Sequence, residues 1–303
     1  VRTPFYIVGP TASGKSAVAL ALALRVGGEI VNADAYQLYR RLDVVSAKPS
    51  LSERQKVPHH LFDVLDPGEY CDAQRLRDLA MPVIDQIAKA GRTPIIVGGS
   101  GLYIKALTHG LANLPGRDPT LRHQLSQLTL EEMKAQLLSL DPDAPENVPM
   151  TNPRYVERAL EICLLTGQPQ SKLRQTFASI APDAKGVVLS MERERLYERI
   201  RLRVLSMMAA GLIEEVRGLG ELSITAEKAI GIRDVRRLLA GECTEAEAIE
   251  AIEAITLATR RYAKRQNTWF RREQWLQTIC LTEDSTPEST VDQILELFPE
   301  LQE

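Results

Sequence analysis

Four short runs of apolar residues punctuate the chain: Phe5–Val8, Glu29–Ala33, Pro94–Val97 and Gly186–Met191. They are rich in Val and Ile and do not alternate with polar residues, which predicts strands buried on both faces. Between them apolar positions recur at helical spacing, over Ala17–Leu24 and Ala73–Ala90. Pro82, inside the second of these, predicts a helix start or a kink there. The alternation reads as βαβ units, so the expected class is α/β, a parallel sheet flanked by helices.

Residues 114–185 break this rhythm. They hold eight prolines, two helical patterns (Thr120–Leu140 and Arg154–Thr166) and no convincing strand. The stretch reads as an all-helical subdomain inserted between two strands, leaving 1–113 and 186–303 as the core. From Glu192 the pattern is helical almost to the end, over Arg193–Ala210, Ala226–Leu239, Glu245–Arg272 and Thr290–Leu297. Gly211 and Gly241 fall where helix C-caps belong.

Composition changes this picture little. With 44% hydrophobic and 25% charged residues, the 303-residue chain is ordinary for a globular protein. No apolar run approaches the ~18 residues of a membrane helix. The cysteines (Cys71, Cys163, Cys243 and Cys280) are scattered, which argues against a zinc site or a disulfide framework. The chain as given enters a strand at once, without a basic and apolar leader, and a cytoplasmic location is expected. A net charge of −3 does not announce a nucleic-acid binder, yet charge is uneven: acidic residues crowd 242–253 and basic ones 260–272.

The sharpest chemical signal is Gly9-Pro10-Thr11-Ala12-Ser13-Gly14-Lys15-Ser16, between the first strand and the first helix. A Gly-rich loop in that setting turns backbone N–H groups and a helix N-terminus toward one point, where a phosphate fits. Lys15 would reach the outer phosphate, and the Ser16 hydroxyl would ligate Mg²⁺. Asp34 closes the second strand; if the first two strands are neighbours, it faces this loop and can accept a proton or hold a metal-bound water. Its bland alternative is a cap on the following helix. Gly98-Gly99-Ser100-Gly101 forms a second Gly-rich turn, either a substrate contact through Ser100 or a simple tight turn. No strand other than the second ends in an acidic residue, which favours group transfer over nucleotide hydrolysis.

Two basic stretches remain. Arg195, Arg199 and Arg203 share one helix face and either neutralise a diphosphate or, the preferred reading for the set, form a solvated face laced by Glu192, Glu194 and Glu198. In 259–272, basic residues interleave with Tyr262, Trp269 and Phe270, and Arg261 and Arg265 lie on one side of a helix. That pattern suits a nucleic-acid backbone, or else an amphipathic helix whose aromatics are core. His59 and His60 have no companion ligand cluster in the sequence to make a metal site.

Taken in order, these segments resemble the bacterial tRNA dimethylallyltransferases, also called tRNA isopentenyltransferases. The resemblance runs through residues 9–16, 34–39, 57–61, 98–103, 158–161, 211–216, 229–235 and, most specifically, 260–272. It implies transfer of a dimethylallyl group from dimethylallyl diphosphate to N6 of the adenine 3′ of the anticodon, with Mg²⁺. On that resemblance the loop 9–16 holds the diphosphate, Lys15 and Ser16 stabilise the departing charge, and Asp34 accepts the N6 proton. Gln37 matches the position that recognises the target base, with Ala35 and Tyr36 beside it. Ser100 stands where the family usually has a Thr, and Arg203 matches an arginine near the diphosphate. Arg122 and the stretch Arg154, Tyr155, Val156, Glu157 and Arg158 match tRNA-contacting positions, to which Arg261 and Arg265 add salt-sensitive contacts. Ala35 and Tyr36 depart from the usual Ser and its basic or Met neighbour. A monomer working on a tRNA anticodon stem-loop is expected, without a membrane partner; a phosphate-loop nucleotide or small-molecule kinase is the alternative.

Overall fold

The computed structural model describes residues 2–110, 114–116, 118–175 and 184–302. The expected boundary at residue 113, and Pro182, lie outside them. Two compact units result, one of residues 1–108 with 182–303 and one of residues 109–181.

The first unit is built on a parallel sheet. In chain order it runs β1 (Phe5–Val8), α1 (Lys15–Val26), β2 (Glu29–Asn32), α2 (Leu51–Arg54), β3 (His59–His60), α3 (Ala73–Lys89), β4 (Pro94–Gly98) and α4 (Gly101–Thr108). The second unit follows with α5 (Pro119–Leu125), α6 (Leu130–Leu140), α7 (Ala144–Asn147), α8 (Pro153–Thr166) and α9 (Gln170–Gln175). The chain then returns through β5 (Lys185–Met191), α10 (Arg193–Ala209), α11 (Leu212–Arg217), α12 (Ile232–Ala240), α13 (Glu245–Phe270), β6 (Leu276–Leu281) and α14 (Pro287–Leu297).

The six strands lie in the order β3-β2-β4-β1-β5-β6. Every residue of β1, β2 and β4 is buried, as continuous apolar runs require when helices cover both faces. The first and second strands are therefore not neighbours, contrary to the condition set for Asp34. Strand β4 lies between them, pairing Ile7 with Val97 on one side and Asn32 with Val97 on the other. The crevice at the carboxyl ends survives this rearrangement, because all three strands point the same way.

Several elements differ from the sequence pattern for local reasons. Helix α3 runs unbroken through Pro82, because Leu76, Ala80, Ile84 and Ile87 bury its opposite face. The predicted Thr120–Leu140 helix is two helices: Asp118 caps α5, with Pro119 in its first turn, and a capping box between Thr129 and Glu132 starts α6 afresh. The predicted Ala226–Leu239 helix is a 3₁₀ turn and then α12, separated by Gly231 at φ 110°. The tail is not all helical: Leu276–Leu281 forms edge strand β6, paired with β5. Its buried residues, Leu276 and Ile279, are three apart, a spacing that mimics a helix turn. Strand β3, two residues long, was too short to leave a pattern.

Among the described residues the second unit forms helices and no strand, and it has its own core of Leu125, Met133, Leu137, Val156, Leu160 and Cys163. Among the described residues no helix is long and apolar enough to cross a membrane.

Candidate active site

The phosphate loop leaves the sheet at the end of β1. Ala12 (φ 65°) and Gly14 (φ 97°) adopt left-handed conformations, the backbone habit that gathers N–H groups into an anion-binding concavity. Helix α1 begins at Lys15, so its first amides lack intrahelical acceptors and point at the same place. Ser13 is 1% exposed and its hydroxyl has no hydrogen-bond partner, an orphaned donor within the loop. Lys15 Nζ donates to the carbonyl of Pro10 at 2.7 Å. Burial lowers its pKa to about 8, Arg203 adding to the fall and Asp34 opposing it. Not every amide is available: Thr11 N–H is taken by Gln266 Oε1 at 2.8 Å.

Asp34 stands just beyond β2. Its Oδ1 accepts the Tyr36 N–H at 2.9 Å, while its own N–H donates to Asn32 Oδ1 at 2.9 Å. Asn32 Nδ2 in turn donates to the Leu61 carbonyl at 3.0 Å. The expected helix cap is not found: residues 35–38 form a turn and the next helix, α2, begins only at Leu51, so this contact closes a turn through one carboxylate oxygen. Burial is the main cause of the shifts at Lys15, Arg203, Tyr36 and Tyr262, and the Asp34 charge acts on all four, opposing the fall in the two cations and adding to the rise in the two phenols, which sets it near them. Burial, first, pushes Tyr36 up to about 12. Its hydroxyl donates to the Lys228 carbonyl at 3.0 Å. Ala35, between these anchors, is half-buried.

The arginine face of α10 reaches the phosphate loop, which corrects the preferred solvated reading in part: Arg195 and Arg203 are half-buried, while Arg199 stays exposed. Arg195 donates to the Leu281 carbonyl (3.2 Å), and Arg199 to that of Ala12 in the phosphate loop (2.8 Å). Burial lowers the pKa of Arg203, with Asp34 opposing the fall. Arg203 also approaches the Ser46 carbonyl at 3.4 Å. Beside it opens a cavity of about 900 Å³, walled by Lys48, Pro49, Arg54, Asp63 and Met207 among others. Gln37 donates through Nε2 to the carbonyls of Ser46 (3.1 Å) and Ala47 (3.3 Å), leaving its Oε1 as the acceptor end.

Ser100 is half-buried, and its carbonyl accepts the Ile104 N–H at 3.0 Å to open α4. The glycines around it permit close approach: a Cβ at Gly99 would overlap Gln266, and one at Gly101 would overlap the Trp269 ring. Arg261 and Arg265 are exposed on α13, and the Arg265 guanidinium lies 5.6 Å from the Tyr262 ring centroid. Phe270, by contrast, is core at 2% exposure.

In the second unit Arg154 and Tyr155 are exposed at the start of α8. Val156 is fully buried, so its side chain serves the core and cannot reach an RNA. Arg122 and Arg158 both bond the buried Glu161, and Glu157 lies 3.8 Å from Arg122. His60 is paired with Glu29 at 2.6 Å, and among the described residues no cluster of three His, Cys, Asp or Glu could hold a metal.

Two site residues went unrecognised in the sequence. Gln266 belongs to the inward stripe Ala263, Gln266, Phe270, and a polar residue on an apolar stripe is the signal that could have revealed it. Glu215 accepts the N–H groups of Asp43, Val44 and Val45 at 2.7–2.9 Å, pinning the loop whose carbonyls hold Gln37. Nothing local in the sequence points to that contact.

A parallel sheet with a phosphate loop at its carboxyl edge, and a carboxylate among cations beside it, defines a phosphate-loop transferase. The family model of IPP transferases matches residues 37–273. A curated tRNA dimethylallyltransferase of Akkermansia muciniphila is 40% identical over 291 residues, covering 96% of this chain and 98% of its own. Another, of Geobacter metallireducens, is 44% identical over 283 residues, covering 90% and 91%. The crystal structure of the tRNA isopentenylpyrophosphate transferase of Bacillus halodurans superposes with a TM-score of 0.71 at 35% identity, covering 100% of this chain and 97% of that one. The chain belongs to the IPP transferase family, and it is a prenyltransferase.

Proposed function

We propose that the protein transfers a dimethylallyl group from dimethylallyl diphosphate to N6 of the adenine 3′ of the anticodon in tRNA. The observation that supports this reading is the Asp34 carboxylate just beyond β2, near enough to the phosphate-loop Lys15 and to Arg203 for its charge to oppose the lowering of both by burial. Such a site pairs a proton acceptor with a cationic cradle for a leaving diphosphate. The allylic C1–O bond breaks with its electron pair passing to the diphosphate, and a bond forms from N6 to C1. Asp34 takes the N6 proton. Loop amides, the orphaned Ser13 hydroxyl, Lys15 and Arg203 receive the anion, whose arrival restores the Lys15 charge that burial weakens. Ser16 would offer its hydroxyl to Mg²⁺, which would supply further neutralising charge at the leaving group when bound. A hydroxyl plus substrate oxygens and waters is the usual donor set of Mg²⁺, and Ser16, exposed in the first turn of α1, fits it.

Gln37, its amide donors occupied, offers Oε1 to an N–H edge such as adenine N6, with Ala35, Tyr36 and Ser100 completing the surroundings of the base. The target base must leave its stack to reach them. The anticodon stem-loop is gripped electrostatically by Arg261 and Arg265 of α13 and by Arg154 of the helical insertion, where the exposed Tyr155 adds an aromatic face; Arg122, Glu157 and Arg158, tied into the Glu161 network, shape that surface from behind. The enzyme acts in the cytoplasm as a monomer.

The test incubates the protein with Mg²⁺, radiolabelled dimethylallyl diphosphate and an unmodified anticodon stem-loop. Label enters the RNA, and Asp34→Ala lowers that rate by at least about 10²-fold while stem-loop binding stays within a few-fold. Phosphate transfer from ATP to a small acceptor, with no label in RNA, would instead establish the kinase alternative.

A further inference from the structure

We propose that Gln266 is a positioning residue of the phosphate loop, holding it in its anion-accepting shape by bridging the ends of two adjacent strands. The proposal rests on the reading of that loop as the diphosphate site. Gln266 lies on α13, is 4% exposed, and uses both ends of its carboxamide. Oε1 accepts the Thr11 N–H at 2.8 Å, and Nε2 donates to the Gly99 carbonyl at 2.8 Å. Thr11 follows β1 and Gly99 follows β4, which pair in parallel up to Val8 and Gly98. Beyond those residues the ladder ends, and one planar amide continues it across the gap.

The bridge has a chemical requirement that packing alone would not impose. A carboxamide offers an acceptor and a donor side by side on one planar group, with no change of protonation. A glutamate would oppose an oxygen to the Gly99 carbonyl, and a methionine of similar length would leave the Thr11 donor and the Gly99 acceptor both unpaired. Gly99 fits the same logic, since any Cβ there would overlap the amide. With the Thr11 N–H withdrawn, the amides at the head of α1 define the anion site. Gln266 touches no substrate; it acts through the loop.

The experiment compares the wild-type chain with Gln266→Met and Gln266→Glu. Binding of inorganic pyrophosphate with Mg²⁺ is measured by calorimetry, and KM is measured separately for dimethylallyl diphosphate and for the stem-loop. Gln266→Met should weaken pyrophosphate binding and raise KM for dimethylallyl diphosphate about tenfold, leaving KM for RNA within about twofold. Should Gln266→Met not fold, Gln266→Glu keeps the Thr11 acceptor and the side-chain shape and can donate to Gly99 only while protonated, so relative to wild type its pyrophosphate affinity should fall as pH rises and the carboxyl ionises. Unchanged pyrophosphate affinity in a folded variant, or a parallel rise in both KM values, overturns the proposal. The pyrophosphate measurement stands apart from prenyl transfer. A wild-type protein that binds pyrophosphate yet transfers nothing to RNA would defeat the proposed function without touching the role of Gln266.

Discussion

Glu161 is fully buried and still ionised, and its partners explain why. Arg122 meets it through Nε at 2.9 Å and Nη2 at 3.0 Å, Arg158 at 2.6 Å, and the Asp118 N–H at 3.0 Å. Burial pushes its pKa up, but the hydrogen bonds from the two arginines outweigh it, and the net shift is downward. A carboxylate with a depressed folded pKa stabilises fully above its unfolded value, about 4.3, and that stability is lost as pH falls through the folded value. Glu161→Gln should therefore cost about 2 kcal/mol. That is less than the roughly 3–5 kcal/mol of a wholly buried pair, because the arginines keep partial access to water. Urea unfolding of both chains at pH 7 and near pH 3 measures it: the difference seen at neutral pH should shrink in acid. An equal difference at both would show that the pair adds no charge-dependent stability. In the sequence, Arg122 and Arg158 look like cations free for RNA. Only the packing of α5 on α8 reveals the carboxylate between them.

Helix α13 divides its labour by face. A capping box between Thr244 and Glu247 starts it, with Glu245 and Glu247 in the positive first turn. Ala251, Ile255, Ala263, Gln266 and Phe270 are buried, while Arg261, Lys264, Arg265, Arg271 and Arg272 remain exposed. The core reading of this segment holds for Phe270, which packs inward, and the cations stay in water, the position that the RNA reading requires of them. If Arg261 and Arg265 each neutralise one phosphate, replacing both by Ala should reduce the salt slope of stem-loop binding by about two. Little effect on stability is expected from two exposed positions. Binding measured from about 50 to 200 mM salt decides it, and an unaltered slope would remove these side chains from the RNA interface.

For the molecule as a whole, the phosphate loop should report ligand through stability. A ligand that binds only the folded state adds about 2.7 kcal/mol at a hundredfold excess over Kd. For a chain of this size that is roughly 5 °C in thermal midpoint. Pyrophosphate with Mg²⁺ should produce such a rise, a chelator should reduce it, and Lys15→Ala should abolish it. A full rise in Lys15→Ala would place the anion elsewhere. The same scale governs the cavity beside Arg203, whose walls come from the 40–63 loop and from α10, far apart in the chain.

Features written in contiguous residues were legible from the sequence alone. The apolar runs specify strands buried on both faces, and the Gly-rich octapeptide specifies the turn between the first strand and the first helix, which the structure extends from Ala17–Leu24 to Lys15–Val26. Tertiary structure decided what depends on residues distant in sequence. It inserted β4 between β1 and β2, because strand order follows from crossover connections and not from chain order. It brought Arg199 to the Ala12 carbonyl and Arg203 to that of Ser46, where helical periodicity shows only that they share a face. It also carried Gln266 across 255 positions to Thr11, a contact that no local pattern encodes. The physical reason is the same in each case: propensity and periodicity are properties of a segment, whereas burial and hydrogen-bond partnership are properties of whatever the fold brings alongside it.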